Sequence, residues 1–339
     1  MTECDDVSAT VRAALDAKTK PRGSLGRLED LAVRIAEIRG TPAPGGLRAA
    51  VVVAAADHGV AAHGVSAYPP EVTAQMLATF ASGGAAICVL ARHAGADLHV
   101  FDLGVAAPPV PGVRDLRVAA GTADLSVGPA MTSEQLDRCL DAGASVAAEL
   151  VGQGIGIVAL GEMGIGNTTS ASALAAALLD ADPVAVCGPG TGVDDDGLAR
   201  KIDAVRSALL ANRVDRRDGR AVLAAFGGFE IAFLAGVAIA AAEHRLVVLL
   251  DGFITAAAAL AAERVRPGTR SSLIAAHRSP EPGHAPVLDR LGLEPLLDLR
   301  LRLGEGSGAA LALPIVQASL AILDEMATFE SAGVTDAGR

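Results

Sequence analysis

The sequence predicts an α/β protein built on a doubly wound, mostly parallel sheet. Three observations carry this. First, short apolar runs recur along the chain, each ending in Gly or a polar residue and followed by a helical stretch. Second, 51% of the 339 residues are hydrophobic, enough for a large core buried on both faces of a sheet. Third, aromatic residues make up only 2%, with no Trp and a single Tyr, so the core must use small aliphatic side chains suited to close helix-on-sheet packing.

The predicted strands are Ala50–Ala56, Asp97–Phe101, Ile155–Leu160, Val184–Cys187, Leu246–Leu250 and Ser272–Ala276. Ala-rich helices lie between them, such as Thr169–Leu179 and Ile254–Glu263. Strands alternating with helices imply parallel pairing. Pro108–Gly128 contains Pro and Gly without periodicity and reads as loop. At the chain ends, Val7–Ala17 and Leu25–Ile38 read as amphipathic helices and Gly308–Phe329 as a long apolar one. Residues 1–45 with 308–332 are therefore expected to form a small helical domain, and 46–307 the large sheet domain.

The formal net charge is −11 and no Lys/Arg stripe interrupts it, which argues against a nucleic-acid partner. Any phosphate site should be local, made of backbone amides and a helix N-terminus. Cys4, Cys88, Cys139 and Cys187 form no CxxC pair; reduced thiols in a cytoplasmic protein are expected, without a zinc site. The opening MTECDDVSAT lacks a signal-peptide pattern. The apolar run Ile231–Ala242, bounded by Glu230 and Glu243, falls short of the roughly 20 residues a membrane span needs. It reads as a buried helix, and no membrane association is expected.

In open parallel sheets, ligands bind beyond the carboxyl ends of the strands. Asp57 and His58, Asp102, Glu162 and Asn167, Asp251, and His277, Arg278 and Ser279 all fall at such ends, a series that predicts one crevice. Gly161–Thr169 (GEMGIGNTT) follows a strand and opens a helix. It reads either as an anion site or as a tight structural turn, being neither a Walker loop nor a dinucleotide fingerprint. A second Gly-rich loop, 187–192 (CGPGTG), precedes Asp194, Asp195 and Asp196, which read as helix-capping residues, not metal ligands. Lys201 follows, either solvated or reaching a phosphate. In 303–308 (LGEGSG) one carboxylate, Glu305, stands among glycines before an apolar helix. It is either a solvent-facing loop residue or a general base whose pKa rises beside apolar surface.

Taken together, these segments resemble one family. KPRGSLGRLE (20–29), ADHGV (56–60), GVSAYPPEVTAQM (64–76), GEMGIGNTT (161–169), GPGTGVDDDGLARK (188–201), GGFEIAFLAG (227–236), DGFI (251–254), HRSPEPGH (277–284) and LEPLLDLRLRLGEGSGAALALP (293–314) run in order across nearly the whole chain. The ordered set resembles the nicotinate-nucleotide–dimethylbenzimidazole phosphoribosyltransferases. The resemblance implies a Rossmann-like large domain, a small helical domain from both termini, a homodimer, and no metal or redox cofactor. It implies nicotinate mononucleotide and dimethylbenzimidazole as substrates. Glu305 would be the catalytic base, with Glu162 beside the reacting ribose. Met163, Gly164, Gly190, Thr191, Gly192, Lys201, Asp251 and Ser279 would hold the phosphoribosyl group. Tyr68, Gln75 and Leu303 would line the benzimidazole pocket. The sequence departs from some members at Ala67, where they carry a hydroxyl residue.

Two other classes use similar loops. A nucleotide-dependent oxidoreductase requires GxGxxG after the first strand, and Asp57–Gly64 (DHGVAAHG) does not supply it. A noncatalytic nucleotide-binding module leaves Glu305 without a purpose.

Overall fold

A computed structural model of the chain describes residues 3–335, with side chains from Asp6 onward; Cys4's side chain and the first two residues of the expected helical domain lie outside this range. Six strands form one sheet: β1 (Arg48–Ala56), β2 (Asp97–Gly104), β3 (Arg114–Asp115), β4 (Ile155–Met163), β5 (Val247–Leu250) and β6 (Leu273–Ala275). Their order is β3-β2-β1-β4-β5-β6 and every pairing is parallel. This is the Rossmann order, in which the winding reverses between β1 and β4.

The helices follow in chain order. They are α1 (Glu3–Asp16), α2 (Arg27–Arg39), α3 (Val72–Ala81), α4 (Ala86–His93), α5 (Ser133–Gly152), α6 (Asn167–Leu179) and α7 (Pro183–Val186). Then come α8 (Asp195–Ala211), α9 (Gly219–Phe226), α10 (Phe229–Glu243), α11 (Phe253–Val265), α12 (His284–Leu291), α13 (Ser307–Glu325) and α14 (Phe329–Ala332). Alternation along β1 assigns its side chains to two cores. Ala50, Val52, Ala54 and Ala56 join residues of α5, α6, α10 and α11. Ala49, Val51, Val53 and Ala55 join residues of α2, α4 and α13. Each fully buried valine contributes roughly 1.5–3 kcal/mol, so a strand buried on both faces is strongly committed to its register.

The small residues matter most where α5 crosses α10. A Cβ on Gly143 would stand 2.2 Å from the Phe233 carbonyl oxygen, and one on Gly236 would stand 2.4 Å from that of Leu140. The expected helix at Ile231–Ala242 is α10, buried almost throughout.

The terminal helices form a layer of their own. Val11 and Leu15 of α1 pack with Ala32, Val33 and Ala36 of α2 and with Ile322 and Leu323 of α13. The other face of α2, through Leu31, Ile35 and Ile38, joins the sheet. Lys18 Nζ donates to the Met326 carbonyl at 2.7 Å, and the Phe329 amide donates to Ala17 at 3.0 Å, which ties the two chain ends together.

Three local expectations are corrected. Val184–Cys187 is not a strand: Asp182 accepts from the Val184 amide at 2.8 Å and Pro183 sits at the first helical position, so the segment turns into α7. Pro108–Gly128 is loop except for the two residues of β3, which pair with Phe101 and Asp102. The C-terminal helix stops at Glu325, and after a break at Met326 the Thr328 capping box starts α14. By length and composition α13 would reach across a membrane, but Ala309, Ala312, Leu313 and Val316 are buried against the sheet.

Gly143→Ala is expected to lower stability by about 1–3 kcal/mol, because the added methyl meets backbone and not a movable side chain. Chemical denaturation checks this; an unchanged midpoint would mean that the α5–α10 contact has slack.

Candidate active site

Beyond the carboxyl ends of β4, β5 and β6 lies a cleft of about 670 Å³, counting its open mouth. Its wall is made by the loop after β4, the Gly190–Thr191 turn, Asp251 with the start of α11, the His277–Glu281 loop and residues 301–304. The expected single crevice is therefore narrower than the series of strand ends suggested. Asp57, His58 and Asp102 do not line it. Asp102 accepts from the Gly104 and Val105 amides at 3.0 and 2.8 Å and faces Arg117 Nε at 3.0 Å. Asp57 accepts from the Ala106 amide at 2.8 Å. His58 is fully buried against Glu230 at 2.7 Å, packed under Gly164. Arg278 turns outward toward Asp298.

Two loops interlock at the heart of the cleft. Glu162 closes β4 and accepts from Asn167 Nδ2 at 2.6 Å. Gly304 crosses directly over it, where a Cβ would lie 2.5 Å from Glu162 Oε1; its φ of +84° also favours glycine. Glu305 itself has φ +64°, a left-handed conformation that costs a non-glycine residue energy. Its carbonyl sits where a Gly161 side chain would be, 2.4 Å away.

The carboxyls here are unusual acids. Burial pushes Glu162 up to about 8; the Asn167 hydrogen bond opposes this, and the charges of Asp251, Glu230 and Glu305 add to it. Burial also raises Glu305, against the pull of the Ile87 amide at the start of α4 (3.4 Å) and with support from Asp251. Asp251 is the most firmly anchored carboxyl among them. It accepts from Gly308 and Ala309 at 2.7 and 3.0 Å and from Gly306 at 3.3 Å, and His277 Nε2 stands 3.5 Å away. Burial works against a charged His277, but Asp251 outweighs it and the imidazole's pKa rises. His284, by contrast, is pushed down to about 4 by burial and by His277, and it accepts from the Ser279 amide at 2.9 Å.

On the opposite wall, Asp194 caps α8 by accepting from Gly197 at 2.8 Å, the role expected of the acidic triplet. Lys201 is buried, not solvated: Nζ donates to Thr168 Oγ1 and to the Gly188 carbonyl, both at 2.9 Å. Burial lowers its pKa, and Glu281 and Cys187 oppose this. The Gly190 amide donates to Glu281 Oε1 at 2.9 Å and the Gly192 amide to Pro189. These amides, expected to face an anion, thus already have acceptors.

The family model described as "Phosphoribosyltransferase" matches residues 3–334. The nicotinate-nucleotide–dimethylbenzimidazole phosphoribosyltransferase of Roseiflexus sp. (strain RS-1) is 53% identical over 333 residues, 98% of this chain and 94% of that protein. That of Mycobacterium avium (strain 104) is 54% identical over 331 residues, 97% and 95% of the two chains. The chain belongs to the nicotinate-nucleotide–dimethylbenzimidazole phosphoribosyltransferase family. The crystal structure of CobT from Thermus thermophilus superposes with a TM-score of 0.93 at 48% identity, covering 97% of this chain and 99% of that one.

Within this phosphoribosyltransferase the cleft brings together Glu162, Met163, Gly164, Gly190, Thr191, Asp251, Ser279 and Leu303. Glu305 lies one residue behind the lining at Gly304, and Lys201 lies beneath Gly190. Gly192 adjoins the cleft without lining it. Tyr68 and Gln75 are exposed and outside it, although Ser66, which accepts from the Tyr68 amide at 3.3 Å, reaches Thr191 at 3.5 Å. The sequence reading did not single out Glu281, Arg302 or the His58–Glu230 pair. Glu281 and Arg302 sit inside segments already quoted, but nothing local marks them, because their importance comes from packing against distant loops.

Glu162 ties the site to stability. The folded carboxyl holds its proton up to about pH 8, whereas its ordinary pKa is 4.5. Between those values the folded state binds more protons than the unfolded one. This contribution is therefore complete below the lower value and is lost as pH rises through the upper one. Glu162→Gln should flatten the fall in Tm between about pH 5 and 8.5, read by thermal melts across that range. A variant as pH-sensitive as the parent would remove Glu162 from this role.

Proposed function

We propose that this enzyme transfers the 5-phosphoribosyl group of nicotinate mononucleotide to 5,6-dimethylbenzimidazole, giving α-ribazole 5′-phosphate and nicotinate. The observation that carries the reading is the pair of buried, pKa-raised carboxyls, Glu162 and Glu305, interlocked at one end of a cleft whose other wall holds the Gly190 turn and Lys201. The names of the relatives support the same substrates.

The bond from C1′ to the pyridinium nitrogen breaks with its electron pair passing to nitrogen, so nicotinate leaves without needing an acid. One benzimidazole nitrogen attacks C1′ from the opposite face, which inverts it. The N–H proton on the other nitrogen passes to Glu305, whose raised pKa makes it a stronger base than an ordinary carboxylate. Glu162 is mostly protonated in the free site at neutral pH. A cationic pyridinium beside it favours the ionised form, and that anion then offsets positive charge developing on the ribose. Leu303, large and more than half exposed on the cleft wall, offers apolar surface to a flat base, and Tyr68, exposed outside the cleft, would reach that base only by movement of its loop. We further propose that the enzyme works as a cytoplasmic homodimer without a metal cofactor; sedimentation and cell fractionation test the first two points, and chelation the third.

Incubation with both substrates, followed by chromatography, should yield nicotinate and an α-configured product. Glu305→Gln should keep the fold and nucleotide binding but lose on the order of 10²–10⁴ in turnover. Parental turnover in the folded variant would remove Glu305 as the base.

A further inference from the structure

Among the residues lining the cleft, Arg302 is the one Arg or Lys side chain, set against the carboxylates Glu162, Asp251 and Glu281. Among the described residues it has no carboxylate within ion-pair distance, and it is exposed at the rim. Its Nη1 lies 3.6 Å from where a Cβ on Gly192 would stand. Lys201 approaches the same Gly190–Gly192 turn from beneath, with Nζ 3.2 Å from a Cβ position on Gly190. Two cations of different character thus approach one turn of backbone. Lys201 is buried and hydrogen-bonded to protein, whereas Arg302 is exposed and lines the open cleft.

The distinction matters because the turn is short of free amides. Gly190 and Gly192 already donate to Glu281 and Pro189. Of the turn's three amides only that of Thr191 is uncommitted among the described residues, so an anion arriving there needs side-chain donors as well, and it meets the nearby charge of Glu281. A guanidinium offers a planar fork that matches two phosphate oxygens at once, which an ammonium does not.

We propose that Arg302 is a substrate-binding residue that clamps the 5′-phosphate from the open side of the Gly190–Gly192 turn, opposite Lys201. The inference rests on the phosphoribosyl reading above and adds a residue to it. Turnover by the unaltered enzyme tests that reading; the comparisons below test Arg302.

Steady-state kinetics decide it. Arg302→Ala should raise KM for nicotinate mononucleotide about 10- to 100-fold, with kcat changed far less. Arg302→Lys should recover only part of this, because charge returns without the fork. With nicotinate riboside, which lacks the phosphate, the penalty in kcat/KM should largely disappear. Calorimetric titration with ribose 5-phosphate gives a readout independent of turnover, and Arg302→Ala should bind it at least about tenfold more weakly. An exposed side chain is not expected to affect folding, and matched melting curves check this. An equal penalty with the riboside would overturn the proposal, as would unchanged ribose 5-phosphate binding. So would a penalty that vanishes with nicotinamide mononucleotide instead, since Arg302 would then read the pyridine carboxylate.

Discussion

The carboxylate of Asp251 is the contact on which the catalytic end of this molecule depends. It stands at the end of β5 and accepts from the amides of Gly306, Gly308 and Ala309. Those are among the donors that the first turn of α13 leaves without partners inside the helix. One buried side chain thereby fastens the C-terminal helix to the sheet and compensates its dipole. It also fixes the loop that carries Glu305. His277 backs this contact from just beyond β6 and fills the space that a side chain on Gly308 would need, its Cδ2 lying 2.0 Å from the Cβ position. Burial raises the pKa of both Glu162 and Glu305, and the charge of Asp251 adds to it. Structural anchor and electrostatic source are thus one group.

The sheet order explains why these parts meet. With β1 and β4 adjacent at the switch point and β5 and β6 continuing outward from β4, the loops after β4, β5 and β6 share one edge of the molecule. Residues far apart in the chain, such as Glu162 and Gly304, come into contact there. Backbone passes so close to backbone that glycine is required at Gly161, and Gly304 leaves no room for a side chain over Glu162. The left-handed Glu305 is held by the same packing, which compensates its strain. On the β1 side the strand-end polar groups serve the scaffold instead, and the buried His58–Glu230 pair supports the loop at Gly164 from below.

Residue pattern alone was enough to establish the α/β class, the places of five of the six strands and the long buried α10, because burial on both faces demands continuous apolar runs that no loop would carry. It also marked Glu162, as a polar residue at a strand's carboxyl end, and Glu305, as a lone carboxylate among glycines before a helix. Packing between distant segments settled what local patterns do not encode. The helix at Pro183–Val186 is a different case, a local one, where the Asp182 cap and Pro183 outweighed β-branched propensity. Packing buried Lys201, used the Gly190 and Gly192 amides internally, and left Tyr68 and Gln75 outside the cleft. It also set Arg302 over that turn without an acidic partner among the described residues. The reason is physical: a side chain's burial, hydrogen-bond partners and charge environment depend on which distant segments pack against it. Residue type and spacing state only what it is able to do.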